Sequence, residues 1–221
     1  MKPTESGKLK QQLLTERLIV IARDIPAPSL LPLGEALYFA GVRFLELPFP
    51  ANAGAESDKN HAAKIAVLAK AFRGRMQIGG GTILTSSQVE LTKAAGGSFL
   101  LSPDVNEAVI RATKAAGLLS IPAGFTPTEI RKAYDAGADF VKFFPASVAG
   151  PDYIKAVLGP LSYIPIIAMG GVTLDSIPAY LAAGAKGFGI GGGIVDRELL
   201  QKNDFEGIFR LSKTYVEKIK S

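Results

Sequence analysis

Eight alternating strand and helix patterns within 221 residues predict an α/β fold, the closed (βα)8 or TIM barrel with an extra N-terminal helix. Amphipathic stretches end repeatedly in glycine, and a short apolar run follows each one, at Gly41, Gly96, Gly117, Gly137 and Gly184. Glycine just past a helix end is a common C-terminal cap, so this repeat indicates helices that lead into parallel strands. No linker interrupts the repeat, so residues 1–221 are predicted to form a single domain.

The predicted strands are short apolar segments that follow the capping glycines or precede polar loops. In chain order they are RLIVIARD, VRFLELPF, MQIGGGT, SFLLSP, LLSIPAGF, DFVKFFPA, IPIIAMGG and GFGIGGGI. Segments of this length that are apolar on both faces are typical of parallel strands covered by helices. Their number and even spacing favour a barrel.

Helical patterns lie between these strands. SGKLKQQLLTE predicts the extra helix before the first strand, and FEGIFRLSKTYVEKIK predicts the closing one. TPTEIRKAYDAG begins with a Thr-Pro pair and has a glutamate in its first turn, which is typical of a helix N-terminus. An open doubly wound sheet is the alternative fold. The first strand leads into ARDIPAPS, which lacks a G-x-G-x-x-G dinucleotide fingerprint, and the barrel is therefore favoured.

The composition excludes several kinds of site. There is no cysteine, and the single histidine, His61, lies in the polar stretch ESDKNHAAK, where we expect a surface residue. Thiolate sites and sites with several imidazoles are therefore ruled out. The net charge of +5 is scattered, so no nucleic-acid partner is expected. No apolar run reaches the roughly 18 residues that span a bilayer, which favours a cytoplasmic protein without a membrane partner.

Four of the predicted strands carry a polar residue near the C-terminal end, where barrel enzymes place their reacting groups. Side chains alternate along a strand, so we expect Ile19 and Ile21 to share a face with Arg23. The same spacing predicts a shared face for Phe44, Glu46 and Pro48, for Ile78, Gly80 and Thr82, and for Phe140, Lys142 and Phe144. If these faces point inward, the four polar residues meet at the mouth of the barrel. The alternative is a structural ion pair between Glu46 and either Lys142 or Arg23.

A lysine in this setting suggests covalent chemistry. Lys142 lies among Phe140, Phe143, Phe144 and Pro145, and burial there lowers the pKa of its amine. A neutral amine can attack a ketone and form a Schiff base, which draws electrons from a neighbouring carbon–carbon bond. Glu46 is the predicted general base. Arg23 and Thr82 are predicted to hold a substrate carboxylate.

Glycine clusters follow the last two predicted strands, in AMGGV and GIGGGIV. The loops after strands 7 and 8 are the usual phosphate site of such barrels, where main-chain N–H groups act as donors. Glycine permits a close approach of the main chain to an anion. The two clusters together predict a phosphate site.

Over residues 17–197 the chain resembles the KDPG/KHG aldolases, which act on 2-keto-3-deoxy-6-phosphogluconate and 4-hydroxy-2-oxoglutarate, and it could be similar to a 2-keto-3-deoxy-6-phosphogalactonate aldolase. The resemblance rests on GVRFLELPF, GGGTILT, FLLSPDVNEAVI, PAGFTPTEI, VKFFPA, GPDYIKAVLGP and GGVTLDSIPAYLAAGAKGFGIGGG. It implies Lys142 as the Schiff-base lysine, Glu46 as the general base and Thr82 as a contact of the pyruvyl carboxylate. It also implies that Phe144 and Pro103 line the pyruvate pocket, and that phosphate contacts Gly170, Gly171, Gly191, Gly192 and Gly193. The resemblance further implies a homotrimer that needs no metal or cofactor.

The chain departs from the family pattern in a few positions. Pro50 stands where many members have a carboxylate-binding arginine, a role that Arg23 can take as in other members. Ala123 replaces a common glycine, and Gly192 or Gly193 replaces a serine often found near the phosphate. The loop PFPANAGAESDKN looks longer than usual and is expected beside the pocket.

The resemblance implies an aldehyde-lyase that binds a small 2-keto acid and releases pyruvate. The expected reaction cleaves a 2-keto-3-deoxy-6-phospho sugar acid to pyruvate and glyceraldehyde 3-phosphate, and/or 4-hydroxy-2-oxoglutarate to pyruvate and glyoxylate. Two alternatives stay open at this point. One is a phosphate-binding barrel with other sugar-phosphate chemistry, and the other is a non-catalytic barrel descended from the aldolases.

Overall fold

The strands of the computed structural model, which describes residues 5–51 and 54–221, form one closed barrel. All neighbours are parallel and pair in chain order, and β1 closes the ring against β8. The strands are β1 (Leu18–Ile21), β2 (Phe44–Pro48), β3 (Gln77–Gly81), β4 (Phe99–Ser102), β5 (Leu119–Gly124), β6 (Val141–Phe143), β7 (Ile166–Met169) and β8 (Gly187–Ile190). All eight predicted strands are confirmed, and the open-sheet alternative is wrong.

The helices lie between the strands and around the barrel. They are α1 (Glu5–Glu16), α2 (Leu30–Phe39), α3 (Gly54–Ala71), α4 (Ser86–Ala94), α5 (Glu107–Ala115), α6 (Pro127–Asp135), α7 (Ala146–Leu158), α8 (Ile177–Ala182), α9 (Arg197–Gln201) and α10 (Phe205–Lys220). The predicted extra N-terminal helix is α1. Much of the predicted long loop after β2 is helical, since α3 begins at Gly54; residues 52–53 of that loop lie outside the described residues.

The predicted helix ends have the expected geometry. Thr126 caps α6 in a reciprocal arrangement: its hydroxyl accepts from the Glu129 N–H at 3.3 Å, and the Glu129 carboxylate accepts from the Thr126 N–H at 2.8 Å. The five capping glycines all have a positive φ, between +74° and +108°. This left-handed conformation is the reason for glycine at the ends of these helices.

The apolar side chains form two separate cores. The larger core lies between the strands and the helices. The smaller one fills the inside of the barrel, and its members include Ile19, Phe44 and Phe140. Leu13 of α1 belongs to this inner core, so the extra helix packs its apolar face against one end of the barrel interior. Glu46, Thr82 and Lys142 lie toward the opposite end, where the strands finish.

Across the described part of the chain, no helix combines the length and the apolar character needed to cross a membrane.

Candidate active site

A cavity of about 1050 Å³ opens at the C-terminal ends of the strands. Every residue that the sequence predicted for the site lines it, although the residues come from seven different strands or the loops after them. They are Arg23, Glu46, Thr82, Pro103, Lys142, Phe144, Gly170, Gly171, Gly191, Gly192 and Gly193. The predicted convergence at the barrel mouth is therefore observed.

Glu46 is the most deeply buried charged residue at this mouth, with only 3% of its surface exposed. Its carboxylate lies directly over Gly81, where a Cβ atom would overlap Oε1. In the described residues the other oxygen, Oε2, is buried and has no hydrogen-bond partner. Burial raises the pKa of Glu46 to about 7, although the positive charges of Lys142 and Arg23 oppose the rise. A carboxyl group with this pKa can both take and return a proton near neutral pH.

Lys142 of β6 faces the same space. Its Nζ lies 4.5 Å from the centre of the Phe144 ring, which is 41% exposed at the mouth. Burial lowers the pKa of Lys142, with the charge of Glu46 acting in the opposite direction and that of Arg23 adding to the fall. Among the described residues, no ion pair within 4.0 Å involves Lys142, Glu46 or Arg23. The structural ion pair considered from the sequence is therefore not present.

The aromatic surroundings of Lys142 differ in part from the prediction. Phe140 belongs to the inner core, below the lysine. Phe143 points the other way, into the outer core, where its ring stacks on Phe125 at 5.3 Å and on Tyr153 at 5.6 Å. The expectation that Phe143 surrounds the amine is wrong, because strand alternation sends it to the helix side.

The predicted inward face of β3 is also wrong. Ile78 packs in the outer core, and a Cβ on Gly80 would meet Thr92 of α4. Gly79 and Gly81 face inward instead: a Cβ on Gly79 would meet the ring of Phe99, which belongs to the inner core. Gly81 makes room for the Glu46 carboxylate. Glycine at these two positions therefore leaves space for large side chains from β2 and β4.

Thr82 reaches the cavity for a different reason from the one predicted. Strand β3 ends at Gly81, and Thr82 has a left-handed backbone with φ of +56°. This turn brings Thr82 to the cavity and sends Ile83 into the outer core. A positive φ is unfavourable for a β-branched residue, and strain of this kind concentrates at functional sites.

Arg23 lies just beyond β1, exposed at the rim of the cavity. It makes no hydrogen bond or ion pair with the described residues, so its guanidinium is available to a ligand. Pro50 does not line the cavity. Of these two positions only Arg23 lines the cavity, and its role in carboxylate binding stays a prediction.

The glycine loops form the other end of the cavity. Gly170 and Gly171 have φ of +88° and +74°, and a Cβ on Gly170 would come within 3.0 Å of the Phe144 ring. A Cβ on Gly192 would meet nothing within 4 Å, whereas one on Gly193 would lie 2.5 Å from the Tyr215 hydroxyl. A serine at position 193 is therefore sterically excluded, while position 192 has room for one.

Several lining residues were missed by the sequence reasoning. They include Asp24, Met169, Thr173, Arg197, Gln201 and Tyr215. Arg197 and Gln201 lie on the short helix that directly follows the last glycine cluster, and this proximity is a signal that could have found them. Tyr215 lies within α10, and nothing in its local pattern distinguishes it from other buried residues of that helix.

His61 is not the surface residue that the sequence suggested. It is partly buried on α3, its ring packs 4.6 Å from that of Phe49, and Nε2 lies 3.2 Å from the Leu47 carbonyl oxygen. Burial lowers the pKa of His61, which favours a neutral ring. Within residues 5–51 and 54–221, no group of three His, Asp or Glu side chains is arranged to hold a metal ion.

Comparison with known proteins decides the family. The model of the KDPG and KHG aldolase family matches residues 9–211. The chain belongs to this family. It is 33% identical over 202 residues to a 2-dehydro-3-deoxy-phosphogluconate aldolase of Haemophilus influenzae, with 91% of each chain covered. It is 45% identical over 115 residues to a probable 2-dehydro-3-deoxy-6-phosphogalactonate aldolase of Rhizobium meliloti, over 52% of this chain and 54% of that relative.

A solved structure described as native KDPGal has the same fold as this member of the aldolase family. The two share 30% sequence identity with a TM-score of 0.81, over 91% of this chain and 93% of the other. The similarity therefore extends over most of both chains.

Proposed function

We propose that the chain is a class I aldolase that cleaves a 2-keto-3-deoxy-6-phospho sugar acid to pyruvate and glyceraldehyde 3-phosphate. 4-Hydroxy-2-oxoglutarate, cleaved to pyruvate and glyoxylate, is the second proposed substrate. One observation carries the proposal: Lys142 and Glu46 share a cavity without an ion pair, and the pKa of each is shifted toward neutrality. Burial thus favours the nucleophilic, neutral form of the amine, and it lets the carboxyl group exchange protons near neutral pH.

The reaction begins at Lys142. Its neutral amine adds to the C2 ketone of the substrate, and loss of water gives a protonated imine. The imine accepts the electron pair of the C3–C4 bond when the carboxylate of Glu46 removes the proton of the C4 hydroxyl. The aldehyde leaves, and an enamine of pyruvate remains on the lysine.

The second half of the reaction returns the enzyme to its starting state. The carboxylic acid of Glu46 donates its proton to C3 of the enamine and forms the imine of pyruvate. Water then adds to C2, and pyruvate departs as the amine of Lys142 is released. Oε2 of Glu46 is buried and makes no hydrogen bond to the described residues, so it lacks a donor that the C4 hydroxyl of a bound substrate would supply.

The remaining lining residues support binding of a 2-keto acid. Arg23 can pair with the substrate carboxylate at the rim, and the Thr82 hydroxyl can donate a hydrogen bond to it. Phe144 and Pro103 supply apolar walls beside the pyruvyl carbons. The glycine loops after β7 and β8 provide main-chain donors for the distal phosphate.

The direct test is reduction with borohydride in the presence of pyruvate, followed by peptide mass spectrometry. We expect the reduced pyruvyl adduct on Lys142 in the native chain and no adduct in Lys142→Met. An unmodified Lys142 would contradict the Schiff-base mechanism and favour other sugar-phosphate chemistry. A trapped adduct without cleavage of any 2-keto-3-deoxy acid would favour a non-catalytic barrel.

Substrate choice and assembly are part of the same proposal. Assays of the gluconate and galactonate epimers and of 4-hydroxy-2-oxoglutarate would rank the substrates, since a few contacts to one hydroxyl decide between epimers. We also propose a homotrimer in the cytoplasm. Light scattering during size-exclusion chromatography would give the mass of three chains.

A further inference from the structure

The distal end of the cavity contains side chains with no role in the chemistry described above. Arg197 and Gln201 come from α9, and Tyr215 comes from α10. All three line the cavity together with the glycine loop at residues 191–193. The loop itself offers only main-chain donors.

The Tyr215 hydroxyl occupies the space that a side chain at position 193 would need. Its oxygen lies 2.5 Å, and its Cζ 3.1 Å, from the position of a Cβ on Gly193. The ring is anchored in the outer core, and only 6% of the residue is exposed. Glycine at position 193 and tyrosine at position 215 are therefore sterically linked, and the tyrosine brings a hydroxyl to the loop.

That hydroxyl keeps its proton at neutral pH. Burial raises the pKa of Tyr215, and the charge of Asp175 raises it further, while the main-chain amide of Leu174 acts in the opposite direction. A protonated phenol next to main-chain donors can give its hydrogen to an anion.

Arg197 provides a positive charge at the same end. It makes no ion pair or hydrogen bond with the residues that the structure describes. The two acidic residues adjacent to it in the sequence have other partners: Asp196 accepts from the N–H groups of Glu198 and Leu199, and Glu198 pairs with Lys202 at 3.4 Å. The guanidinium of Arg197 is therefore available to bind an anion.

We propose that Arg197 and Tyr215 are specificity-determining residues that bind the distal phosphate monoester of the substrate. They supply a side-chain cation and a hydroxyl donor beside residues 191–193, which are all glycine and offer only main-chain groups. The inference rests on the proposed aldolase function and specifies which substrates it uses: 6-phosphorylated acids are preferred to the same acids without phosphate. Arg197 and phosphate form a charge-assisted contact, which is stronger than the hydrogen bond from Tyr215.

The experiment compares Arg197→Ala, Tyr215→Phe and Lys202→Ala on one 2-keto-3-deoxy sugar acid with and without its 6-phosphate. Lys202 is the matched control, because it is a cation at the end of the same helix and does not line the cavity. We expect Arg197→Ala to raise KM for the phosphorylated acid roughly tenfold or more, and Tyr215→Phe to raise it roughly two- to tenfold. With the unphosphorylated acid, KM should change by less than about twofold in every variant. With the phosphorylated acid, Lys202→Ala should change KM by less than about twofold, and Arg197→Lys should recover part of the affinity that Arg197→Ala loses.

The outcomes separate this inference from the aldolase proposal. Equal effects on both acids, or no effect on the phosphorylated one, would overturn the role of Arg197 and Tyr215. If the native enzyme cleaves the unphosphorylated acid with the same kcat/KM as the phosphorylated one, the proposed role of Arg197 and Tyr215 is also overturned, while the aldolase function stands. Borohydride trapping of pyruvate does not involve the distal site, so it should be normal in all four variants; failure of trapping in the native chain would instead overturn the aldolase proposal.

Discussion

Replacement of Glu46 by glutamine should make the protein more stable at neutral pH and much less active. In the folded chain the pKa of Glu46 is about 7, against an ordinary value of 4.5. At pH values between 4.5 and about 7, Glu46 therefore keeps its proton in the folded state and has lost it in the unfolded state. Stability from this group is complete below pH 4.5 and declines as the pH rises through about 7.

The size of the effect follows from the shift. A difference of about 2.5 pKa units corresponds to about 3 kcal/mol of unfolding free energy lost above pH 7. Glutamine has nearly the same shape and no charge, so Glu46→Gln should recover up to this amount at pH 8 and little at pH 4.5. For a chain of this length, about 3 kcal/mol corresponds to a rise in Tm of roughly 6–12 °C.

Catalysis should change in the opposite direction. A general base contributes roughly 10²- to 10⁴-fold to the rate, so Glu46→Gln should lower kcat by that order. In this variant imine trapping on Lys142 should be largely intact. Proton exchange on bound pyruvate and cleavage of the substrate should both become slower. The native rate should rise with pH through about 7, because ionised Glu46 and neutral Lys142 are both needed.

The assay is thermal unfolding of both proteins from pH 4.5 to 8.5, alongside trapping and cleavage rates. The gain in Tm should grow with pH across the window from 4.5 to about 7. A difference that is constant with pH would refute the argument that burial of the charge is the cause. Normal proton exchange in the variant would show that Glu46 is not the base.

Two further predictions concern glycines that make room for other groups. Gly81→Ala should displace the Glu46 carboxylate, because the new Cβ overlaps Oε1. This displacement should lower kcat by roughly 10²-fold, while pyruvate can still be trapped on Lys142. A kcat within about twofold of the native value would contradict this geometry. Gly192→Ser should leave Tm unchanged, since its Cβ meets nothing within 4 Å. Gly193→Ser should lower the free energy of unfolding by roughly 1–3 kcal/mol, because the new side chain collides with Tyr215. Equal Tm values for the two variants would refute this difference.

Period-two alternation located some of the site residues correctly and others for the wrong reason. Glu46 and Lys142 face the cavity as alternation predicts, because β2 and β6 are regular where these residues lie. The rule failed on β3, whose inward positions are glycines with no side chain to mark the face. Thr82 was still identified, because it follows the strand end, where the fold class concentrates functional groups.

The sequence by itself determined the barrel and the residues that follow most of its strands at the mouth, but not those contributed by α9 and α10. Capping glycines and apolar runs are local signals, and the closed barrel brings all strand ends to one rim, so even a rough strand assignment brings the polar residues at the strand ends together. Only the tertiary structure decided how these residues act on each other. The unpartnered oxygen of Glu46, the packing of His61 on Phe49 and the Tyr215 hydroxyl beside Gly193 all depend on contacts between distant segments. Such contacts fix burial and charge, and through them the proton affinities on which the chemistry depends.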